Sequence, residues 1–194
     1  MNTKLLAVLV AGSIAAVPAA ASAQISTSFS IAGGLSVPSG EFGGGSATVD
    51  AVKTGYNLAA GLNIGVPLLP VGVRLEAAFN DFEYKNLAPG TSGSQSIISG
   101  TVNGTFGLGL PYVIGGIGYY STKAKASGGG TTLTSERDNA AGVNGGVGIR
   151  FPLGLISTFA EIRYHKMLGS DNASSSTKPA ANVSYIPITF GINF

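Results

Sequence analysis

The sequence predicts an all-β protein, an eight-stranded antiparallel up-and-down transmembrane β-barrel, and three observations carry that prediction. In the last ten residues, Ile186, Ile188, Phe190, Ile192 and Phe194 fall on one parity, while Pro187, Thr189, Gly191 and Asn193 fall on the other. Strand side chains alternate faces, so this segment has one apolar face and one small or polar face. As the open edge of a soluble sheet it would be sticky, whereas in a closed barrel in lipid it is paired on both sides and meets hydrocarbon. Charge is the second observation. Only 10% of residues are charged, against roughly 25% in a soluble domain, yet no apolar run after residue 23 approaches the roughly 20 residues of a membrane helix. The third is spacing. Short Pro-marked connections at Pro67–Pro70, Leu110–Tyr112 and Pro152–Gly154 recur about 42 residues apart. One further step back falls near residue 26, and one further step forward falls at the C-terminus. Four modules follow, each an outgoing strand, a long polar loop and a returning strand, with both ends on the short-turn side.

Taken in order, Met1 to Ala23 reads as a cleaved signal peptide. A single Lys4 precedes an apolar stretch from Leu5 to Val17, Pro18 breaks it, and Ala21-Ser22-Ala23 is a small-residue cleavage pattern with Ala21 and Ala23 at the recognition positions. The barrel domain is expected over residues 24–194. Its first strand, near 24–37, places Phe29, Ile31, Leu35 and Val37 on one face. The second, near 55–66, sets Tyr56, Leu58, Leu62 and Ile64 against Asn57, Gly61 and Asn63. Near 71–84, Val71, Val73, Leu75 and Phe79 oppose Arg74, Glu76 and Asn80. Near 96–109, Ile98, Val102, Phe106 and Leu108 share a face. The fifth, near 112–123, is apolar on both faces and has no evident orientation. Near 140–151, Ala141, Val143, Val147, Ile149 and Phe151 oppose Asn144, Gly146, Gly148 and Arg150. Near 155–167, Ala160, Ile162 and Tyr164 oppose Glu161, Arg163 and His165. The terminal strand completes the eight. Lengths of this order suffice for a tilted membrane strand.

The segments 38–54, 85–95, 123–139 and 167–182 lack apolar periodicity and are rich in Gly, Ser, Thr, Asn and Pro, so they are expected as loops. Lys53, Lys85, Lys123, Lys125, Lys166 and Lys178 sit in or beside them. Tyr56, Phe79, Phe82, Tyr84, Tyr119, Tyr120 and Tyr164 lie where strands approach them, as one aromatic belt, with Phe151, Phe190 and Phe194 towards the other end. Short turns on one side and four longer loops on the other form the layout of bacterial outer-membrane barrels, with periplasmic turns and extracellular loops.

Alternation alone does not tell inside from outside. A lipocalin-like soluble barrel would turn the apolar face inward, but the other face here is mostly Gly, Ala, Ser and Asn, too sparse in charge to dissolve a barrel. Small residues do suit the interior of eight strands. That orientation places Arg74, Glu76, Arg150, Glu161, Arg163 and His165 in the lumen. Buried charges must be paired, so a network built from Arg74, Glu76, Glu161 and Arg163 is expected as an internal plug. In energetic terms, Leu62→Arg on the lipid face is expected to be costly and Asn63→Ala on the lumen face cheap. Pro187 fits poorly, because a barrel strand is paired on both sides; a place above the membrane or at a bulge would accommodate it.

Little points to chemistry. The single histidine, His165, lies beside a loop with Ser170 and Asp171, but a nucleophilic triad needs three groups converging in space. The barrel lipid A deacylases carry a His-x-Ser pattern on the outer wall, whereas this chain reads His165-Lys166-Met167, with His165 on the inward parity. One histidine with scattered carboxylates is a poor transition-metal set. The glycine clusters lead into no helix and no Gly-Lys-Ser/Thr, so no phosphate loop is read. No catalytic residue, cofactor or metal is expected. A net charge of +2 without a basic stripe argues against nucleic acid, and the absence of Cys leaves disulfides no part.

The chain resembles the small outer-membrane barrels of the OmpA, OmpX and opacity-protein type. The likeness rests on Gly34-Leu35-Ser36-Val37-Pro38-Ser39-Gly40-Glu41-Phe42, on Pro111 to Tyr120, on Phe159-Ala160-Glu161-Ile162-Arg163-Tyr164-His165 and on the terminal strand. It implies a monomeric barrel embedded among outer-membrane lipid and lipopolysaccharide. It also implies insertion by the barrel assembly machinery through recognition of the last strand, with Ile188, Phe190, Ile192 and Phe194 as the signal. Roles within that family include adhesion, serum resistance and envelope integrity, and they reside in the loops. The expected function is therefore non-enzymatic presentation of loops to an extracellular ligand or host surface, or support of the envelope. A narrow pore is the alternative, and a lipid A-modifying enzyme ranks below it. No peptidoglycan-anchoring domain is expected after residue 194.

Overall fold

The computed structural model describes residues 25–43, 52–65, 69–85, 87, 89–129, 131–134, 138–168 and 183–194. The expected signal peptide, with Ala21 and Ala23, lies outside the described residues, as do Ser170, Asp171 and Lys178. Among the described residues nine strands form one antiparallel sheet: β1 (Ser26–Ser39), β2 (Gly55–Gly65), β3 (Val71–Glu83), β4 (Thr91–Gly107), β5 (Pro111–Gly128), β6 (Thr131–Thr134), β7 (Asp138–Leu153), β8 (Ile156–Met167) and β9 (Ser184–Asn193). Eight of them close into a ring in which each pairs with its sequence neighbour, β5 passes directly to β7, and β9 returns to β1. The ninth, β6, is a four-residue spur on β5. Closure leaves no edge within the ring.

The alternation read in the sequence is the alternation of the wall. Outward lie Phe29, Ile31, Leu35, Leu58, Val73, Val102, Ile117, Val147, Ile162, Ile188 and Phe190, all exposed. Inward lie Ser30, Ser36, Asn57, Asn80, Thr101, Asn103, Asn144 and Thr189, all buried. An apolar exterior over a polar interior inverts the soluble rule and suits a lipid surround. The fifth strand also resolves: Tyr112, Ile114, Tyr120 and Thr122 are buried in the lumen, while Val113, Ile117 and Tyr119 face out. Short turns follow β4 and β7 and carry Gly109 at φ 98° and Gly154 at φ 78°, a backbone region that L side chains rarely adopt. On the opposite end the rings of Tyr56 and Phe79 pack against each other at a tilt, with centroids 5.9 Å apart.

Two expectations change. The segments 85–95 and 123–139 are not simply loops. β4 begins at Thr91 and β5 runs to Gly128, their pairing extends from Thr91↔Gly128 to Gly107↔Tyr112, and β6 adds a third strand to the extension. Outside the membrane a ladder needs no apolar face, so Thr, Ser and Lys build it without the period that marks a strand. The second change concerns Pro187. It lies within β9, on the buried side. Its partner on β1 is Ser36, in unbroken register. On the β8 side pairing lapses between Ile162↔Ile188 and His165↔Tyr185 and resumes in the same register. The missing N–H thus costs a local gap in one ladder, with no bulge.

At Leu62, whose side chain faces lipid between Phe29 and Leu75 on the flanking strands, arginine should destabilise the refolded barrel by about 2–4 kcal/mol in a urea titration in vesicles. Asn63 is not the cheap control that its face suggests. Its Oδ1 accepts Arg74 Nε–H at 2.7 Å and its Nδ2 donates to Asn193 Oδ1 at 3.3 Å. Asn63→Ala should therefore cost about 1.5–3 kcal/mol, the range for a lost hydrogen bond to a charged group.

Candidate functional site

Arg74 and Glu76 stand two residues apart on β3, and Glu161 and Arg163 stand two apart on β8, so each pair projects from one face of its strand. In the ring β3 and β8 are four strands apart by either route, hence opposite each other. Eight strands leave an interior only wide enough for side chains, and the four meet across it. Arg74 Nη1 lies 2.9 Å from Glu161 Oε2 and 3.9 Å from Glu76 Oε2, and Arg163 Nε lies 2.6 Å from Glu161 Oε1. Arg163 Nη2 pairs with Glu76 Oε1. All four side chains are at most 6% exposed. Their formal charges sum to zero, the arrangement that a buried ionic group requires. Tyr112 Oη donates to Glu161 Oε2 at 2.6 Å, and the Arg74 guanidinium lies over the Phe159 ring at 5.2 Å. The glycines opposite make room for these long groups: a Cβ at Gly146 would collide with the Arg163 side chain and the Ile162 carbonyl.

The other two charges placed in the lumen do not join this quartet. Arg150 has the inward parity but sits at the open mouth, exposed, with its guanidinium 5.1 Å from the centre of the Tyr112 ring. Parity gives the face and not the depth, and Arg150 is too far down β7 to be buried. It lines a mouth cavity of about 240 Å³ together with Ser28, Asn63, Tyr112, Ser157 and Asn193. His165 is buried at 2% exposure but lies deeper, stacked on Tyr185 at 5.0 Å and with Nδ1 3.0 Å from Tyr120 Oη. Its surroundings are aromatic, so it reads as part of a packed layer.

That layer is absent from the sequence expectations. Phe42, Val52, Phe82, Ile97, Tyr120, Ala140, Met167, Val183 and Tyr185 form a buried apolar cluster inside the barrel. Phe82 packs edge-on against Phe42 at 5.1 Å and against Tyr185 at 5.8 Å. Phe82 and Tyr120 are therefore not belt aromatics, and their parity, shared with Arg74 and with Tyr112 respectively, is the signal that identifies them as inward. Phe42 comes from a short 3₁₀ turn, Gly40–Gly43, after β1. Between the cluster and the quartet Asn80 accepts from Ser36 Oγ at 2.6 Å and Asn57 Nδ2 at 2.8 Å, and Asn144 Nδ2 donates to Asn103 Oδ1 at 2.9 Å. The lumen is thus filled in succession by an ionic layer, an amide layer and an aromatic layer.

Comparison with known proteins agrees with this architecture. The outer membrane protein beta-barrel domain family matches residues 6–194. The chain belongs to that family. It is an integral outer-membrane β-barrel. Among solved structures it is similar to Neisserial surface protein A, at 16% identity and a TM-score of 0.54, covering 87% of this chain and 97% of that one. It is also similar to Ail, the attachment invasion locus protein of Yersinia pestis, at 18% identity and TM-score 0.53, with 87% and 97% covered. A major outer membrane protein from Thermus thermophilus matches at 16% identity and TM-score 0.55, with 87% and 99% covered. No curated protein sequence matches. At these identities the likeness is one of fold.

In this outer-membrane barrel the terminal positions Ile188, Phe190, Ile192 and Phe194 all face outward and are exposed. The wall closes through the last residue: Phe194 N donates to Phe29 O at 2.9 Å and Phe29 N to Phe194 O at 2.8 Å. Among the described residues no group of three potential metal ligands converges, and His165 stands inside the barrel rather than on its outer wall.

Proposed function

We propose that this barrel is a closed, non-enzymatic anchor that displays polar structure at the cell surface, for interaction with an extracellular partner or for envelope integrity. The observation that carries the reading is the Arg74–Glu161–Arg163–Glu76 quartet spanning the lumen. The mouth cavity reaches inward to Asn63 and Tyr112, the residues that hydrogen-bond the quartet. Opening a pore would separate paired charges buried in a low dielectric and displace the aromatic layer beyond them. Work is then left to the outer end, where β4, β5 and β6 carry a strand extension rich in Thr, Ser and Lys past the wall. Lys123 and Lys125 share the outward parity of β5, a position that supports contact with lipopolysaccharide phosphates.

Refolded residues 24–194 in a planar lipid bilayer should be electrically silent, while a heat-modifiable gel shift reports the folded barrel. Stepwise currents from the folded protein would overturn the closed-lumen reading in favour of a narrow pore. Shortening the β4–β5 extension should leave the barrel folded and reduce surface binding or envelope resistance; unchanged values of both would remove the display reading.

A further inference from the structure

We propose that the outer wall carries a groove that retains one acyl chain of a phospholipid from the periplasmic leaflet. On the lipid face Val113, Val147, Ile162 and Ile188 are lateral neighbours on β5, β7, β8 and β9, and they form a ridge of branched side chains. The next row towards the periplasm pairs Pro111 with Ile149, Ile149 with Ala160 and Ala160 with Phe190. Ala160 is the small member of that row, so the row is notched between Ile149 and Phe190. The wall has an open apolar depression of about 580 Å³ here, lined by Leu108, Pro111, Val113, Ile149, Ala160 and Ile188 among others. Its size falls within the roughly 300–1,000 Å³ of small-ligand sites. On the far side of the ridge Gly104, Gly115 and Gly145 are also laterally paired and turn no side chain outward, so the ridge stands clear along β5 and β7, while on β8 the exposed ring of Tyr164, the partner of Gly145, bounds it.

The occupant follows from where the groove lies. It is continuous with the apolar surface that meets hydrocarbon, so at this depth the surrounding medium is acyl chain. Its open end, at Leu108 and Pro111, adjoins the short turn between β4 and β5, which is the periplasmic side. A chain entering there belongs to the phospholipid leaflet. A notch one side chain wide fits a flexible chain, whereas a second barrel would present a convex wall to it.

The sequence contains no Trp, so a single introduced indole reports alone. Phe190→Trp places it beside the notch, and Val73→Trp places it on β3, across the ring from β8. Each variant, refolded in detergent micelles and verified by gel shift, is titrated with a phospholipid brominated on its acyl chains, up to one molecule per barrel. The expected result is a saturable loss of fluorescence for Phe190→Trp with little change for Val73→Trp. Adding Ala160→Leu, which fills the notch, should abolish that loss. Equal quenching of both reporters, or quenching indifferent to Ala160→Leu, would overturn the proposal in favour of unselective annular lipid. A Phe190→Trp signal shielded by concentration-dependent dimerisation would overturn it in favour of a second copy.

Discussion

Glu161→Ala should destabilise the refolded barrel by about 3–5 kcal/mol, the cost of breaking a buried ion pair by removing one partner. Glu161 is the hub of the quartet: it meets Arg74 at 2.9 Å and Arg163 at 2.6 Å and accepts the Tyr112 hydroxyl at 2.6 Å. Without it two guanidiniums share Glu76 alone, and one positive charge is left uncompensated at a site with almost no solvent access. Glu161→Gln separates the contributions, because it keeps an acceptor for Tyr112 while removing the charge; most of the loss should persist. The contrasting variant is Glu83→Ala. Its carboxylate lies 3.6 Å from Lys53 with side chains 73% and 57% exposed, and such surface pairs contribute about 0–1 kcal/mol. Urea midpoints in lipid vesicles give both values. Equal midpoints for Glu161→Ala and Glu83→Ala would show that the quartet does not hold the barrel together.

How far the sequence reaches can be seen in that same cluster. Arg74 and Glu76, and likewise Glu161 and Arg163, stand out because charge is scarce along the whole chain and each pair falls on the parity opposite the apolar residues of its strand, and a buried charge demands a partner. Parity then supplies the face of every membrane strand but one. The exception, β5, has apolar residues on both faces, and only closure of the ring decides that Tyr112 and Tyr120 point inward. Depth is what parity leaves out. Arg150 shares the face of Asn144 yet ends at the mouth, and Phe82 shares the face of Arg74 yet sits in the aromatic layer. Phe42 is a harder case, since nothing local indicates that a turn after β1 will lay its ring against Phe82. The strand extension from Thr91 and to Gly128 escapes the sequence for a different reason: outside lipid, hydrogen bonding alone selects the ladder, and polar residues leave no period to read.

Deleting Phe194 should sharply lower the amount of barrel in the outer membrane of cells while leaving the refolded protein only slightly weakened. The structure separates the two effects. Phe194 contributes two closing hydrogen bonds with Phe29 and a ring contact at 6.4 Å between centroids. Each hydrogen bond contributes about 0.5–1.5 kcal/mol net, and the β1–β9 ladder still runs from Ser30↔Asn193 to Ser39↔Ser184 without it. A purely thermodynamic role therefore predicts a small, parallel loss in vesicles and in cells. Recognition of the terminal outward aromatic by the assembly machinery predicts a disproportionate loss in cells, because the shortened chain ends on Asn193, which faces the lumen. Phe194→Tyr keeps an outward aromatic and should restore membrane levels, whereas Phe194→Ser should behave as the deletion. Membrane levels of the deletion that simply track its vesicle stability would assign Phe194 to closure of the wall alone.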